Sequence, residues 1–214
     1  SDALNSQVAG QVSLRDGAID LKLSADAPSS ALPAAARGML GQRAQISATL
    51  KRDPNGGINV DGLKLVSGGL TAQGQASLAD NKLAADITGA LADVSPLSKD
   101  AKGAIAFALN AQGPAIAPDL SLTVNSDRLL VAEREITGLK LTATGKADAA
   151  NPAANVQLTG TVAGQALQGS AVLATADGKS AINGLLLSLG KNKISGDLAL
   201  DDKFVPEGTI SLDL

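Results

Sequence analysis

Covalent catalysis needs a nucleophile with a base beside it. This chain has no His and no Cys in 214 residues, which removes imidazole bases, thiolate nucleophiles and His/Cys metal sites together. Ser and Thr are plentiful, but only Lys or a carboxylate could activate them, and no Gly-x-Ser-x-Gly elbow occurs. The densest charge cluster, Glu133-Arg134-Glu135 in "AEREI", reads as a solvated turn. The acidic pair Asp201-Asp202 lacks the spaced ligands of an EF-hand loop and also reads as turn chemistry. No enzyme, metal or cofactor is expected. A net charge of −3, a pI near 4.9 and 1% aromatics supply neither a basic stripe nor stacking rings, so no nucleic-acid partner is expected.

What remains is the chemistry of apolar contact. The chain is 44% hydrophobic with two Phe, no Trp and no Tyr. Its greasy side chains are therefore almost all Leu, Ala, Val and Ile, which build thin sheets with smooth walls rather than a core around large rings. One phrase is written twice: "VDGLKLVSGGLTAQGQASL" (Val60–Leu78) returns without a gap as "INGLLLSLGKNKISGDLAL" (Ile182–Leu200). Leu63, Leu65, Leu70, Ala76 and Leu78 in the first copy, with Leu185, Leu187, Ile194, Leu198 and Leu200 in the second, are the candidate lining of an apolar groove. The alternative is that they form an ordinary sandwich core.

Period-2 alternation positions these residues. Val8, Gly10, Val12 and Leu14 share a face, Asp16-Gly17 turns the chain, and Ile19, Leu21 and Leu23 alternate with Asp20, Lys22 and Ser24. Similar runs, separated by turns such as "DPNGG" at Asp53–Gly57 and Asp80-Asn81, predict an all-β chain of roughly a dozen strands. "SALPAAARGMLG" (Ser30–Gly41) departs from the pattern. Pro33 suits an early helical position and Gly41 an end, so one short helix is expected near residues 30–41. Leu32, Met39 and Leu40 are its apolar stripe, packed as core or capping the groove end. "DVSPLSKD" (Asp93–Asp100) reads as a loop or a single turn. Two sub-repeats, about 1–92 and 103–214, would make one continuous unit.

Gly10, Gly74, Gly169 and Gly196 fall on the apolar parity of their strands. Glycine inside a strand marks a bend or a close approach to the backbone. It makes either a crease between packed faces or the curve of a trough, and both readings predict a strongly curved sheet. No apolar run approaches the ~20 residues that span a bilayer. The chain opens Ser1-Asp2 without Met, so the expectation is a segment excised from something longer, with any anchor or targeting sequence outside it.

Three stretches carry a family likeness: "LPAAARGMLGQRAQISATL" running on to "GGINVDGLKLVSGGLTAQGQASL", "ITGLKLTATGKAD" leading into "VQLTGTVAGQALQGSAVL", and "INGLLLSLGKNKISGDLALDDKFVPEGTISLDL". A short apolar helix, then paired strands, then a Gly-led strand ending in Leu, repeated, resembles the AsmA-like superfamily, most of all the TamB translocation and assembly module family of Gram-negative bacteria. The resemblance implies a long, mainly antiparallel, U-shaped sheet with a hydrophobic interior, a β-taco or β-groove. It implies a periplasmic location and an inner-membrane anchor absent from this chain. It also implies phospholipid acyl chains as cargo between the inner and outer membranes, or a chaperone-like role toward nascent outer-membrane proteins with an outer-membrane barrel partner. The family supplies no catalytic motif.

Overall fold

In the computed structural model, which describes residues 5–13, 16–28, 43–148, 151–176, 179–200 and 206–214, the alternation becomes fifteen strands. They are β1 (Asn5–Val12), β2 (Ile19–Pro28), β3 (Arg43–Arg52), β4 (Ile58–Ser67), β5 (Leu70–Ala79), β6 (Lys82–Leu91), β7 (Ala101–Lys102), β8 (Ile105–Pro114), β9 (Asp119–Val131), β10 (Arg134–Lys146), β11 (Ala153–Val162), β12 (Gln165–Ala176), β13 (Lys179–Leu189), β14 (Asn192–Leu200) and β15 (Pro206–Asp213). Among the described residues there is no helix. The helix expected at 30–41, with Leu32, Met39 and Leu40, lies outside them.

All fifteen strands belong to one antiparallel sheet whose order follows the chain from β1 to β15. Only β7 departs from that path: it joins β9 beyond the end of β8, through Ala101–Val131 and Lys102–Leu130. β1 and β15 pair with their chain neighbours and not with each other, so the sheet is open. It runs without a break through both expected sub-repeats.

The turns follow from the right-handed twist of the strands, which favours left-handed backbone at both central residues of a two-residue hairpin. Asp80-Asn81 joins β5 to β6 in this way, with φ of 50° and 59°. Ala132-Glu133 joins β9 to β10 with φ of 47° and 63° although neither residue is Gly or Asn. There the "AEREI" charges lie at a hairpin turn, and Glu135 accepts two hydrogen bonds from Arg128 across the strands, at 2.6 and 2.9 Å. No described helix is long and apolar enough to cross a membrane.

One compact cluster is buried: Leu70, Leu91, Val94 and Leu129, with Leu65, Phe107, Ile136 and Leu139 packed around it. Most other apolar side chains are only half-buried, as expected of a single layer with no second sheet among the described residues.

Candidate functional site

Directly opposed residues in an antiparallel sheet share a face. The register can therefore be followed from strand to strand. One line runs Ala25, Ile46, Leu65, Ala72, Gly89, Phe107, Val124, Leu141, Leu158, Gly169, Leu187, Ile194, Leu212. Every member is apolar or Gly. The neighbouring line on the opposite face runs Ser24, Ser47, Lys64, Gln73, Thr88, Ala108, Thr123, Thr142, Gln157, Ser170, Leu186, Ser195, Ser211. From β2 to β15 one line of the sheet is greasy throughout, and its neighbour on the other face is polar except at Ala108 and Leu186.

The register places Leu63, Leu65, Leu70, Ala76 and Leu78 on the greasy face, opposite Gly74, Ala72, Leu91, Val60 and Ile58. Leu185, Leu187, Ile194 and Leu198 lie on the same face, opposite Gly196, Gly169, Leu212 and Ile182, and Leu200 follows them in β14. Leu70 belongs to the buried cluster near the β4–β5 turn, Leu65 packs against that cluster, and the remainder are spread along the sheet.

A markedly apolar recess lies elsewhere among the described residues. A cavity of about 600 Å³ is lined by Leu109, Leu120, Leu122, Ala143, Ala154, Leu173 and Ala181, with Thr144, Thr175 and Ser180 among its few polar neighbours. Thr175 and Ser180 hydrogen-bond to each other at 2.9 Å. Among the described residues, Lys146 is the only charged side chain in the lining. The lining spans β8 to β13 at the end of the strands opposite the buried cluster. The register puts Leu109, Leu120, Leu122, Ala143, Ala154 and Leu173 on the greasy face and Ala181, opposite Ala174, on the other, but nothing local in the sequence separates the six from the other Leu and Ala beside them.

Two classes of glycine shape this face. In β1, β5 and β14, Gly10, Gly74 and Gly196 face the backbone of the next strand so closely that a Cβ would collide with Asp20 O, Asp86 O and Thr209 O. Gly169 is different: a Cβ there would meet only the Leu158 and Leu187 side chains, both at 3.3 Å. The second class escaped the alternation reading. Gly62, Gly138 and Gly184 all have φ of 58°, with open space where a Cβ would be. Each lies at a bulge carrying one extra residue, against β5, β11 and β14 respectively. Their contexts match: Val60-Asp-Gly-Leu, Ile136-Thr-Gly-Leu and Ile182-Asn-Gly-Leu. The extra residue resets parity, so Val60 and Leu63 both face the greasy side although three positions apart. At the third bulge the Gly184 N–H also donates to Asp197 Oδ1 at 2.7 Å.

Two carboxyls are held below the usual aspartate range. Asp93 is lowered chiefly by the Ser95 hydroxyl, then by the N–H groups of Gly103 and Ser95. Asp16 is lowered by Ser13 and the Ala18 N–H. Both are hydrogen-bond acceptors in turns. No protein-family model, curated protein or solved structure matches the chain.

Proposed function

We propose that the greasy face is the floor of a curved, U-shaped trough that receives phospholipid acyl chains. On this reading the chain is a periplasmic segment of an inner-membrane-anchored protein of the TamB type, carrying lipid between the inner and outer membranes. The observation that carries it is the line of apolar residues from Ala25 to Leu212, which no second sheet covers among the described residues. An acyl chain needs apolar contact and no directional polar partner, and a wall of Leu, Val and Ala offers that without unpaired polar groups. A wall nearly free of aromatics grips no single ligand tightly, which suits a conduit better than a high-affinity pocket.

Two features support the curvature. Laid flat, β8 to β13 would spread over about 24 Å at ~4.8 Å per strand, yet their side chains line one cavity. At Gly10, Gly74 and Gly196 the next strand approaches on the greasy side so closely that no side chain fits, the arrangement expected where a sheet folds toward its own apolar face.

Leu173 and Val172 make the test. They are adjacent, similarly apolar and 39% and 41% exposed, but only Leu173 lines the cavity. A photo-crosslinking residue is placed at each in turn, in cells making the full-length parent protein. The expected result is labelled phospholipid at 173 and not at 172. Equal labelling at both rejects the trough. Adducts with nascent outer-membrane proteins and none with lipid favour the chaperone-like role, in which a strand adds to the sheet.

A further inference from the structure

The greasy face is open at one end of β8–β13 and covered at the other. The cover is the connection between β6 and β8. These strands pair directly, Leu91 opposite Ile105, so a short hairpin would join them. Instead the chain leaves the sheet after Leu91, lays Val94 on its apolar face, and rejoins it at β7 before β8 begins. Val94 is 7% exposed and packs with Leu70, Leu91 and Leu129, side chains of β5, β6 and β9. The segment is tied at its start by Ala92 N–H to Gly69 O at 2.8 Å. At its far end β7 pairs with β9, and Ala132 N–H donates to Asp100 O at 2.7 Å. Between these ties one carboxylate gathers the loop. Asp93 accepts from the Ser95 N–H at 3.1 Å, the Ser95 hydroxyl at 2.7 Å and the Gly103 N–H at 3.0 Å. Asp93 is exposed, while the side chain next to it is buried.

We propose that residues 92–104 are an autoinhibitory strap, in which Val94 occupies the part of the greasy face where an acyl chain would lie and Asp93, hydrogen-bonded to Ser95 and Gly103 within the loop, holds the shape that seats Val94. This rests on the lipid reading above and adds its regulation. With the strap down, the accessible face stops short of Leu70, Leu91 and Leu129 at that end of the strands. With it lifted, the face continues across Leu70, Leu91 and Leu129. Asp93 acts through the loop and is a positioning residue; it touches no cargo. The strap's ends are fixed in the sheet, its middle is gathered by Asp93 and by the Val94 N–H donating to Gly103 O at 2.9 Å, and Val94 is the buried side chain that seats it on the face.

The absence of Cys from the chain makes thiol labelling a clean test. Leu129→Cys and Leu70→Cys report on the covered region, and Leu173→Cys reports on the open cavity. Maleimide labelling at 129 and 70 is expected to be at least tenfold slower than at 173. Asp93→Ala is expected to raise the rates at 129 and 70 about tenfold and leave 173 unchanged. Labelling at 129 and 70 as fast as at 173, or unmoved by Asp93→Ala, overturns the strap. If Asp93→Ala accelerates all three sites, Ser95→Ala decides: it deletes the hydroxyl bond alone, and selective acceleration at 129 and 70 upholds the strap while uniform acceleration overturns it. A photo-crosslinking residue at 129, scored with labelled phospholipid vesicles, separates the two claims. Lipid at 173 always and at 129 only with Asp93→Ala supports both. Thiol selectivity with lipid at neither position leaves the strap standing and rejects the lipid reading. Lipid at 129 without the Asp93 change rejects the strap alone.

Discussion

Replacing Gly74 and Gly62 by Ala separates close approach from backbone strain. The two glycines are on neighbouring strands of one hairpin, yet they are glycine for different reasons. At Gly74 a Cβ would strike Asp86 O and come within 2.9 Å of Ile87 Cα, both backbone atoms of β6. Carbon atoms rest at about 3.5–4.0 Å, so β6 must withdraw by about 1 Å. Overpacking typically costs about 1–3 kcal/mol. Here the obstacle is a paired strand rather than a flexible side chain, so one or two ladder hydrogen bonds at about 1 kcal/mol each are also at risk. Gly74→Ala should therefore cost about 2–5 kcal/mol. At Gly62 a Cβ meets nothing within 4 Å, but φ is +58°. The left-handed backbone costs Ala about 1–2 kcal/mol, partly offset by about 0.4–1 kcal/mol from a less flexible unfolded chain. The net loss should be about 1 kcal/mol, and smaller for Gly62→Asn, because Asn tolerates this region. Urea unfolding measures the loss, and amide exchange across β5 and β6 locates it. The same order is expected at Gly196 and Gly184, where Thr209 O and open space replace Asp86 O and open space. A Gly74→Ala loss no larger than that of Gly62→Ala would refute the reasoning, because it would mean the sheet is not pinched at Gly74.

Leu129→Ala, in the buried cluster, should destabilise by about 2–5 kcal/mol, while Leu212→Ala, 65% exposed on the same face, should change stability by less than ~0.5 kcal/mol; denaturant melts of both variants check this. Asp93 titrates below the usual 3.8, so its hold on the strap is complete above that value and is lost as pH falls through its lower folded-state pKa. Its neighbour Lys102 favours the ionised form, and Lys99 and Asp100 lie on the same loop. The Ser95 and Gly103 amide shifts should therefore move with a midpoint below 3.8 and stay flat at neutral pH, as an NMR titration would show. Arg128→Ala removes an exposed ion pair with Glu135 and should cost less than about 1 kcal/mol, diminishing further in high salt.

Alternation along one strand depends only on the geometry of that strand, so the chain alone determined that Leu21, Leu65, Leu78 and Leu187 point one way and Lys22, Lys64 and Ser188 the other. The same local logic put Gly10, Gly74 and Gly196 among the apolar side chains before any neighbour was known, and marked Asp80-Asn81 as a turn. Parity across Gly62, Gly138 and Gly184 was harder. The shared phrase of apolar residue, polar residue, Gly and Leu was visible, but a bulge is defined against a partner strand, and the partner is chosen by pairing. Pairing also decided which glycines are pinched: Gly74 meets a backbone and Gly169 only side chains, a difference of neighbours, not of sequence. Tertiary structure alone drew Leu109, Leu122, Leu173 and Ala181 into one cavity from strands far apart in the chain. It alone laid Val94 over Leu70, Leu91 and Leu129, where the residues of "DVSPLSKD" read only as a loop. Period and turn chemistry act over two to four residues, whereas cavities and covers form between residues that the folded sheet brings together.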